Sequence, residues 1–259
     1  MIDFHCHMIP NLDDGADFWG DAIRMARVAL EEGINGTVLT PHYSERKYDN
    51  TRDCVLEAFE ILQTRLQEEN IKLTTYPGSE VALTMEVPAQ LKAGTILTIN
   101  DAGKYILLEP PFFGLTPALE AVLFTVQDMG ITPILAHPER CQTFINDFDY
   151  LLKLIEAGIL VQLNTSSLTT IYEPDIRNTA ERLLALGAVH LLGSDAHSAD
   201  RRPPRFQKAK SLFLTISNKA YWQLLTENNP RRILKGLSPE CGLNSLQNKL
   251  KTFSTYDLR

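Results

Sequence analysis

The sequence predicts an α/β protein whose parallel strands close into a (β/α)7 TIM-like barrel. Seven short apolar runs alternate along the chain with helical segments or Pro- and Gly-rich crossings. Strands separated by helices of about ten or more residues form parallel sheets. Seven such units within one chain of 259 residues favour a closed barrel over an open sheet.

The first unit illustrates the pattern. Residues 2–7 are predicted to form a short strand that runs into a polar turn. Apolar residues then recur at the spacing of one helix face, at Trp19, Ile23, Ala26 and Leu30. Gly33 stands where a helix usually ends. The predicted first helix therefore covers residues 17–32.

The later units follow in the same order. Further strands are predicted at residues 36–42, 72–80, 105–109, 131–137, 159–164 and 188–197. Further helices are predicted at residues 52–69, 117–129, 149–157 and 175–186. From about residue 203 the chain is again predicted to be helical, and residues 228–236 are expected to pack across the barrel base. We expect residues 1–236 to form the barrel and residues 237–259 a lightly docked tail.

Composition excludes several classes of function. A formal charge of −7 argues against a nucleic-acid partner held by its phosphates. No apolar run approaches the roughly 20 residues of a membrane helix, and the chain opens on a predicted strand, so we expect no membrane insertion and a cytoplasmic location. None of the four cysteines is followed six positions later by arginine, which excludes the C-x5-R loop of cysteine-dependent phosphatases.

The residues that could bind a metal follow the predicted strands. In the first strand His5 and His7 point the same way and Cys6 points away, because strand side chains alternate. Five of the six histidines end an apolar run, and only His190 does not. In parallel barrels the functional face lies at the carboxyl ends of the strands. The candidate ligands there are His5, His7, Asp14, His42, Glu80, Glu109, His137, Asp195 and His197.

Each of these residues taken alone has an ordinary structural explanation, such as a turn for Asp14 or a solvated strand end for Glu109. Their convergence on one barrel rim is what indicates a metal centre. Nitrogen and oxygen ligands without a thiolate suit two or three divalent ions of the Mn, Fe or Zn type. Four carboxylates contribute about −4 and three such ions about +6, so the ions would relieve a repulsion within the pocket.

Several motifs together resemble one known superfamily. They are His5-Cys-His7 before Asp13-Asp14-Gly15, His42 with Tyr48 and Asn50, Gly78-Ser-Glu80, Ala136-His-Pro-Glu-Arg140, and Gly193-Ser-Asp-Ala-His197 with Arg202-Pro-Pro204. This order is similar to the polymerase and histidinol phosphatase (PHP) superfamily. Within it, the chain most resembles bacterial PHP-type protein-tyrosine phosphatases of capsule and exopolysaccharide operons.

The resemblance implies that the seven-unit barrel is distorted and holds three metal ions, with manganese expected and Fe, Zn or Mg as alternatives. It places His5, His7, Glu80 and Asp195 on the first ion, Glu80, Glu109 and His137 on the second, and Asp14, His42 and His197 on the third. Arg140, Arg202, Asp195 and His42 are the expected catalytic residues, with Arg201 as an alternative to Arg202. A metal-activated hydroxide would attack phosphorus while the arginines neutralise the phosphoryl oxygens.

The resemblance further implies a phosphotyrosine protein as substrate, expected to be an autophosphorylated bacterial tyrosine kinase, and through it control of polysaccharide synthesis. Three alternatives stay open from sequence. They are a histidinol phosphatase or other small-molecule phosphoesterase, a non-catalytic PHP binding module, and a metal hydrolase of the amidohydrolase kind. Against the last, no lysine ends a predicted strand. The sequence leaves the oligomeric state open.

Overall fold

The structure is a computed structural model that describes residues 1–169 and 171–240. It contains nine strands in those ranges. They are β1 (Ile2–Cys6), β2 (Gly36–Leu39), β3 (His42–Tyr43), β4 (Thr74–Pro77), β5 (Glu80–Ala82), β6 (Tyr105–Glu109), β7 (Thr132–Ala136), β8 (Leu160–Asn164) and β9 (Leu191–Gly193). Every pairing between them is parallel.

Two of the seven predicted strands are interrupted. Residues 40 and 41 separate β2 from β3, and residues 78 and 79 separate β4 from β5. The sheet is therefore assigned in two parts, with the orders β1-β2-β4 and β3-β5-β6-β7-β8-β9. The amide of Glu80 donates to the carbonyl of Pro41 at 3.1 Å, so the paired interruptions remain hydrogen-bonded to each other. We call each strand position around the barrel a course. β2 and β3 together form one course, and β4 and β5 together form another.

Backbone hydrogen bonds also join the last strand to the first. The amide of Asp195 donates to the carbonyl of His5 at 2.8 Å, and the amide of His7 donates to the carbonyl of Ala196 at 2.8 Å. With the two interrupted courses counted once each, seven parallel courses follow one another in a circuit. The prediction of a distorted seven-unit α/β barrel is confirmed.

The helices cover the outside of the strands. They are α1 (Trp19–Glu31), α2 (Arg52–Glu68), α3 (Val87–Ala93), α4 (Pro117–Asp128), α5 (Gln142–Asn146), α6 (Phe148–Glu156), α7 (Pro174–Leu186), α8 (Gln207–Ile216), α9 (Lys219–Gln223) and α10 (Asn229–Leu234). The five predicted crossover helices match α1, α2, α4, α6 and α7 to within two residues at each end. No helix in the described ranges is long and apolar enough to span a bilayer.

Apolar side chains form two layers. The larger cluster packs the outer strand faces against helices, through residues such as Met25, Leu62 and Leu183. The smaller cluster fills the barrel interior with alternate strand residues. Ile233 and Leu234 of α10 belong to this inner cluster, and the side-chain amide of Asn100 donates to the carbonyl of Leu234 at 3.3 Å. The segment predicted to cross the barrel base therefore packs against the barrel interior.

The chain beyond α10 is described only in part. The carbonyl of Leu237 accepts a hydrogen bond from the Tyr105 hydroxyl at 3.0 Å, and the amide of Glu240 donates to Asn229 Oδ1 at 2.8 Å. Residues 237–240 are therefore attached to the barrel. The rest of the expected tail, residues 241–259, lies outside the described residues.

The first strand is less regular than predicted. Asp3 pairs with Thr37 and Cys6 with Leu39, so three residue steps of β1 span two steps of β2. This is a β-bulge, which lets two consecutive side chains face the same side of a sheet. Phe4 packs in the inner cluster, and the next residue, His5, also reaches across the barrel interior toward β5.

His190 has a structural role. Its side chain is only 4% exposed, and Nδ1 accepts a hydrogen bond from the Val161 amide at 3.1 Å. Burial lowers the pKa of His190 from 6.5 to about 4. Between those pH values the unfolded chain binds a proton that the folded chain excludes, so stability falls as the pH drops through this window.

We therefore expect His190→Asn, which can keep an acceptor for the Val161 amide, to be less sensitive to acid than the wild type. A shift of this size contributes about 3 kcal/mol of acid destabilisation once the pH is below 4, and about 2 kcal/mol near pH 4.5. Urea unfolding of both proteins at pH 7 and pH 4.5, with chelator present throughout, measures the difference. An equal loss of unfolding free energy in both proteins would contradict the role given to His190.

Candidate metal centre

The nine predicted ligands converge at the mouth of the barrel formed by the carboxyl ends of the strands. His5 lies in β1, His42 begins β3, Glu80 begins β5 and Glu109 ends β6. The remaining ligands follow their strands directly or, for Asp14, lie in the first turn. Contacts of 3.8 Å or less connect all nine side chains into one continuous set. Residues far apart in the chain thus share one neighbourhood.

Glu80 lies at the centre of this set. Its carboxylate is fully buried, and Oε1 accepts a hydrogen bond from His137 Nε2 at 2.8 Å. Oε2 lies 3.0 Å from His42 Nδ1, 3.1 Å from His5 Nε2 and 3.2 Å from His7 Nε2. None of these three contacts has hydrogen-bond geometry, so Oε2 is a buried oxygen without a hydrogen-bond partner. Crowded nitrogen and oxygen atoms of this kind are what a cation would bind together.

Within the described part of the chain, three groups of ligand atoms are compact enough to hold an ion, since the atoms of each group lie within 4.8 Å of one another. The first group coincides with the set expected for the first ion. The second group contains His42 with Glu80 and Glu109, whereas His137 was the histidine expected beside these two carboxylates. The third group contains His7 with His42 and His197, whereas Asp14 was the residue expected beside these two histidines. The groups are His5, His7, Glu80 and Asp195; His42, Glu80 and Glu109; and His7, His42 and His197.

The two exchanged residues lie close to their expected positions. His137 Nε2 is 3.8 Å from Glu109 Oε1. Asp14 Oδ1 is 3.5 Å from Nε2 of both His42 and His197, and the Asp14 side chain is 50% exposed. Either exchange therefore needs only a small side-chain movement.

Sequence reasoning missed the residue that orients His7. Asp13 Oδ2 lies 2.6 Å from His7 Nδ1, and it also accepts a hydrogen bond from the backbone amide of His42 at 2.8 Å. A carboxylate only accepts, so His7 Nδ1 carries a proton and Nε2 is directed toward the centre. The sequence offered Asp13-Asp14 as equivalent turn residues, and only the folded turn separates their roles.

Two further residues orient ligands from β8. Gln162 Oε1 accepts from His5 Nδ1 at 2.8 Å, and Gln162 Nε2 donates to Asn164 Oδ1 at 3.0 Å. Asn164 Nδ2 in turn donates to Asp195 Oδ2 at 2.8 Å. This buried chain links ligands at opposite ends of the sequence. Asn164 ends β8 opposite Gly193 of β9, and this strand pairing places it beside Asp195.

Glu139 also supports the site from behind. Its buried Oε1 accepts from the Asn164 amide at 3.1 Å and from the Ser167 hydroxyl at 2.6 Å. Burial raises the pKa of Glu139 above its usual value. Its carboxylate therefore holds the end of β8 in place and does not face the mouth.

The backbone is unusual at two ligands. Asp195 has a φ of 52° and His137 a φ of 31°, in the left-handed region that non-glycine residues rarely adopt. Such conformations persist where the surrounding structure enforces them, and they cluster at functional sites. Two glycines permit the close packing around the ligands. A Cβ on Gly15 would lie 2.2 Å from the carbonyl oxygen of His7, and one on Gly193 would lie 2.4 Å from His5 Cβ.

The two predicted arginines meet at Asp195. Arg140 donates to Asp195 Oδ2 at 3.2 Å, and Arg202 donates to the same oxygen at 2.8 Å. The guanidinium of Arg140 lies between two rings, 4.7 Å from the centre of Phe112 and 5.0 Å from that of Tyr172. Arg202 lines the mouth and Arg201 does not, which favours Arg202 as the arginine of the mouth.

The charges of the site shift the pKa values of its members. Burial alone would lower the pKa of His5 and His7, but the charges of Glu80 and Asp195 raise the pKa of His5 and that of Asp13 raises the pKa of His7. Burial alone would raise the pKa of Glu80, but the charges of His5 and His42 hold it well below its usual range. The mouth thus attracts protons to His5 and His7. The same negative potential attracts divalent cations, which displace those protons on binding.

The mouth has a volume suited to a small anionic group. It measures about 280 Å³, and its lining combines ligands with cations and aromatic rings. The lining residues include Asp14, His42, Tyr48, Glu109, Phe112, His137, Arg140, Asp195, His197 and Arg202. The Tyr48 ring stacks on His42 with centres 5.6 Å apart. Cations at the rim above a set of metal ligands are suited to phosphate recognition.

Comparison with known proteins points to one family. The family model described as capsular polysaccharide synthesis, CpsB/CapC, matches residues 1–235. The tyrosine-protein phosphatase YwqE of Bacillus subtilis is 35% identical over 228 residues, covering 88% of this chain and 89% of YwqE. The tyrosine-protein phosphatase CpsB of Streptococcus agalactiae is 26% identical over 240 residues, covering 91% of this chain and 98% of CpsB.

A solved structure agrees with this match. It comes from the crystal structures of YwqE from Bacillus subtilis and CpsB from Streptococcus pneumoniae, described as metal-dependent tyrosine phosphatases. The superposition has a TM-score of 0.88 at 33% identity, covering 94% of this chain and 98% of the solved chain.

Asp13 provides a test of the metal centre that does not remove a ligand. We expect Asp13→Asn to weaken divalent metal binding by about 10- to 100-fold, because the neutral amide no longer fixes the tautomer and basicity of His7. Manganese titration followed by calorimetry measures the affinity. Asp53→Asn is the matched control, because the Asp53 side chain is 90% exposed and lies on α2, outside the mouth. Equal affinity in wild type and Asp13→Asn would contradict this role.

Proposed function

Because the chain belongs to the CpsB/CapC family of capsular polysaccharide synthesis and is a metal-dependent tyrosine phosphatase, we propose that the converging ligands hold three divalent cations, with Mn²⁺ preferred. We propose as substrate a phosphotyrosine on an autophosphorylated bacterial tyrosine kinase. The observation that carries this function is the crowding of four imidazoles on the buried carboxylate of Glu80 beneath a rim of arginines.

The ligand set suits this choice of ions. Imidazole and carboxylate without thiolate favour Mn, Fe or Zn, with Mg as a further alternative. His5, His7, Glu80 and Asp195 would hold the first ion. Glu80 and Glu109 would hold the second with His137, and Asp14, His42 and His197 would hold the third. The cations, when bound, supply Lewis acidity that activates water and withdraws charge from the phosphoryl oxygens.

The orienting residues prepare the imidazoles for this task. Nδ1 of His5 faces the Gln162 carbonyl, Nδ1 of His7 faces Asp13, and Nδ1 of His197 faces the backbone carbonyl of Asp195 at 2.9 Å. All three acceptors lack a proton to give, so the proton sits on Nδ1. Each histidine then presents the lone pair of Nε2 to the mouth.

Arg140 and Arg202 would bind the phosphoryl oxygens. Both guanidinium groups are held by one oxygen of Asp195, and each has further N–H donors that this oxygen does not use. Their position at the rim would neutralise charge that develops on the phosphoryl group. Phenolate, with a pKa near 10, leaves without strong acid assistance. The reaction therefore needs no dedicated proton donor among the rim residues.

A cysteine nucleophile does not fit the described structure. Cys6 is fully buried, and burial raises its pKa well above the usual value. Burial also raises the pKa of Cys141. Cys54 lies on α2, away from the residues that line the mouth. Water is then the nucleophile.

Three substrates compared side by side test the function. We expect manganese-dependent hydrolysis of an aryl phosphate and of a phosphotyrosine peptide, and much slower hydrolysis of histidinol phosphate, because the aryloxide is the better leaving group. Chelator should abolish all turnover, and metal analysis of the purified protein identifies the bound ion. A preference for histidinol phosphate would contradict the substrate. Turnover that survives complete metal removal would contradict the metal centre.

Arg140 provides a test of phosphate binding. We expect Arg140→Gln to lower kcat/KM for an aryl phosphate by about 10²-fold, the usual effect of losing one charge-stabilising donor in the transition state. Arg140→Lys keeps the charge but not the planar fork, so it should recover only part of the loss. Arg27→Gln is the control, because Arg27 is half exposed and pairs with Glu69 on the helical exterior. Wild-type rates in Arg140→Gln would overturn this role.

A further inference from the structure

A second cavity opens beside the mouth. It has a volume of about 380 Å³ and lies between residues 165–169 with 171–172 on one side and residues 200–209 on the other. We call it the side pocket. Arg140, Asp195 and Arg202 line both the side pocket and the mouth. A ligand in the mouth therefore has the side pocket as its immediate neighbour.

The side pocket is strongly cationic in an acidic protein. Its lining contains five cationic and two acidic side chains, namely Arg140, Arg201, Arg202, Arg205 and Lys208 with Asp195 and Asp200. Both acids are already engaged, because Asp195 binds Arg140 and Arg202 and Asp200 pairs with Arg24 at 3.0 Å. The net charge of the chain is −7, so this excess of cations is local.

Three of these cations have no acidic partner among the described residues. No carboxylate in the described ranges lies within 4.0 Å of a side-chain nitrogen of Arg201, Arg205 or Lys208. Some exposed arginines elsewhere have such a partner, as Arg27 has in Glu69 at 2.8 Å, while others, such as Arg46 and Arg231, have none among the described residues. Unpaired cations that share one concave wall repel one another, and an anion that enters relieves that repulsion.

The remaining wall is built from fixed hydroxyls and an apolar edge. The Thr165 hydroxyl donates to the carbonyl of Arg205 at 3.1 Å, and the Thr169 hydroxyl donates to that of Ser166 at 2.7 Å. The first bond ties the two sides of the pocket together. Ile171 is 70% exposed and forms part of the edge. The side pocket can thus take a side chain that has an apolar stem and an anionic end.

We infer that the side pocket binds an anionic side chain of the protein substrate, within a few residues of the phosphotyrosine in the mouth. This inference rests on the proposed function. An extended peptide advances roughly 3.3 Å per residue, and the side pocket and the mouth share lining residues, so a near neighbour of the phosphotyrosine can reach it. A carboxylate and a second phosphate share the required chemistry.

Peptides that differ only in the charge beside the phosphotyrosine test the inference. The three peptides place glutamate, glutamine or a second phosphotyrosine at the flanking positions. We expect wild-type kcat/KM to be about tenfold higher for an anionic peptide than for the glutamine peptide, since each exposed ion pair contributes about threefold. If the glutamate peptide has the higher kcat/KM relative to the glutamine peptide, a carboxylate occupies the side pocket. If the doubly phosphorylated peptide does, a second phosphate occupies it.

Arg205→Gln combined with Lys208→Gln should remove this preference. Both side chains are exposed, and neither lies at the metal ligands, so hydrolysis of a simple aryl phosphate should keep its wild-type rate. Lys210→Gln is the matched control. It removes one cation from the same helix, α8, but Lys210 does not line the side pocket and its Nζ lies 5.9 Å from the centre of the Trp222 ring.

The outcomes separate the two proposals. If wild type hydrolyses the aryl phosphate but treats all three peptides alike, the side pocket has no such role and the proposed function stands. A preference that survives in the double variant, or disappears in Lys210→Gln, also overturns the inference. If wild type with manganese hydrolyses none of the substrates, both proposals fail. Thermal unfolding of the double variant checks that it is folded.

Discussion

The burial of one carboxylate among imidazoles is the constraint on which the rest of the structure depends. Glu80 is fully removed from water, and its two oxygens lie within 3.2 Å of nitrogens from four histidines. Burying a charge is costly unless it is paired and hydrogen-bonded. The barrel supplies these imidazoles by directing His5 and His7 from the end of β1, His42 from β3 and His137 from the end of β7 to one point. A closed circuit of parallel strands is a rigid way to achieve this, because every carboxyl end lies at the same mouth.

Rigidity at the mouth comes from buried polar residues as much as from the strands. Asp13 fixes the ring of His7, and the chain from Gln162 through Asn164 connects His5 to Asp195. The left-handed backbone at Asp195 is held by hydrogen bonds on both sides, since its amide and side chain are both engaged. Ligands oriented in this way lose little conformational freedom on binding a cation. The same contacts offset the free-energy cost of the left-handed backbone.

Sequence reasoning succeeded where periodicity and chain order decide the outcome. The seven strand courses, the five crossover helices and the convergence of His5, Glu80, His137 and Asp195 follow from apolar patterns and from the rule that parallel strands share one functional edge. It failed where packing decides. The bulge between Asp3 and Cys6 leaves no sequence signal, because local patterns do not encode register. Asp13 and Asp14 are chemically identical, and only the fold distinguishes the buried one from the half-exposed one.

The charge of the mouth changes sign with depth, and this reconciles an acidic protein with an anionic substrate. The inner layer consists of carboxylates and imidazoles, and its negative potential favours cations. The rim carries arginines, and the side pocket adds Arg205 and Lys208. At physiological ionic strength charges are screened beyond about 8 Å, so a phosphate at the rim responds to these cations and not to the charge of −7 spread over the whole chain. Net charge thus argues against binding a long polyanion, while the local arrangement remains suited to a single phosphorylated side chain.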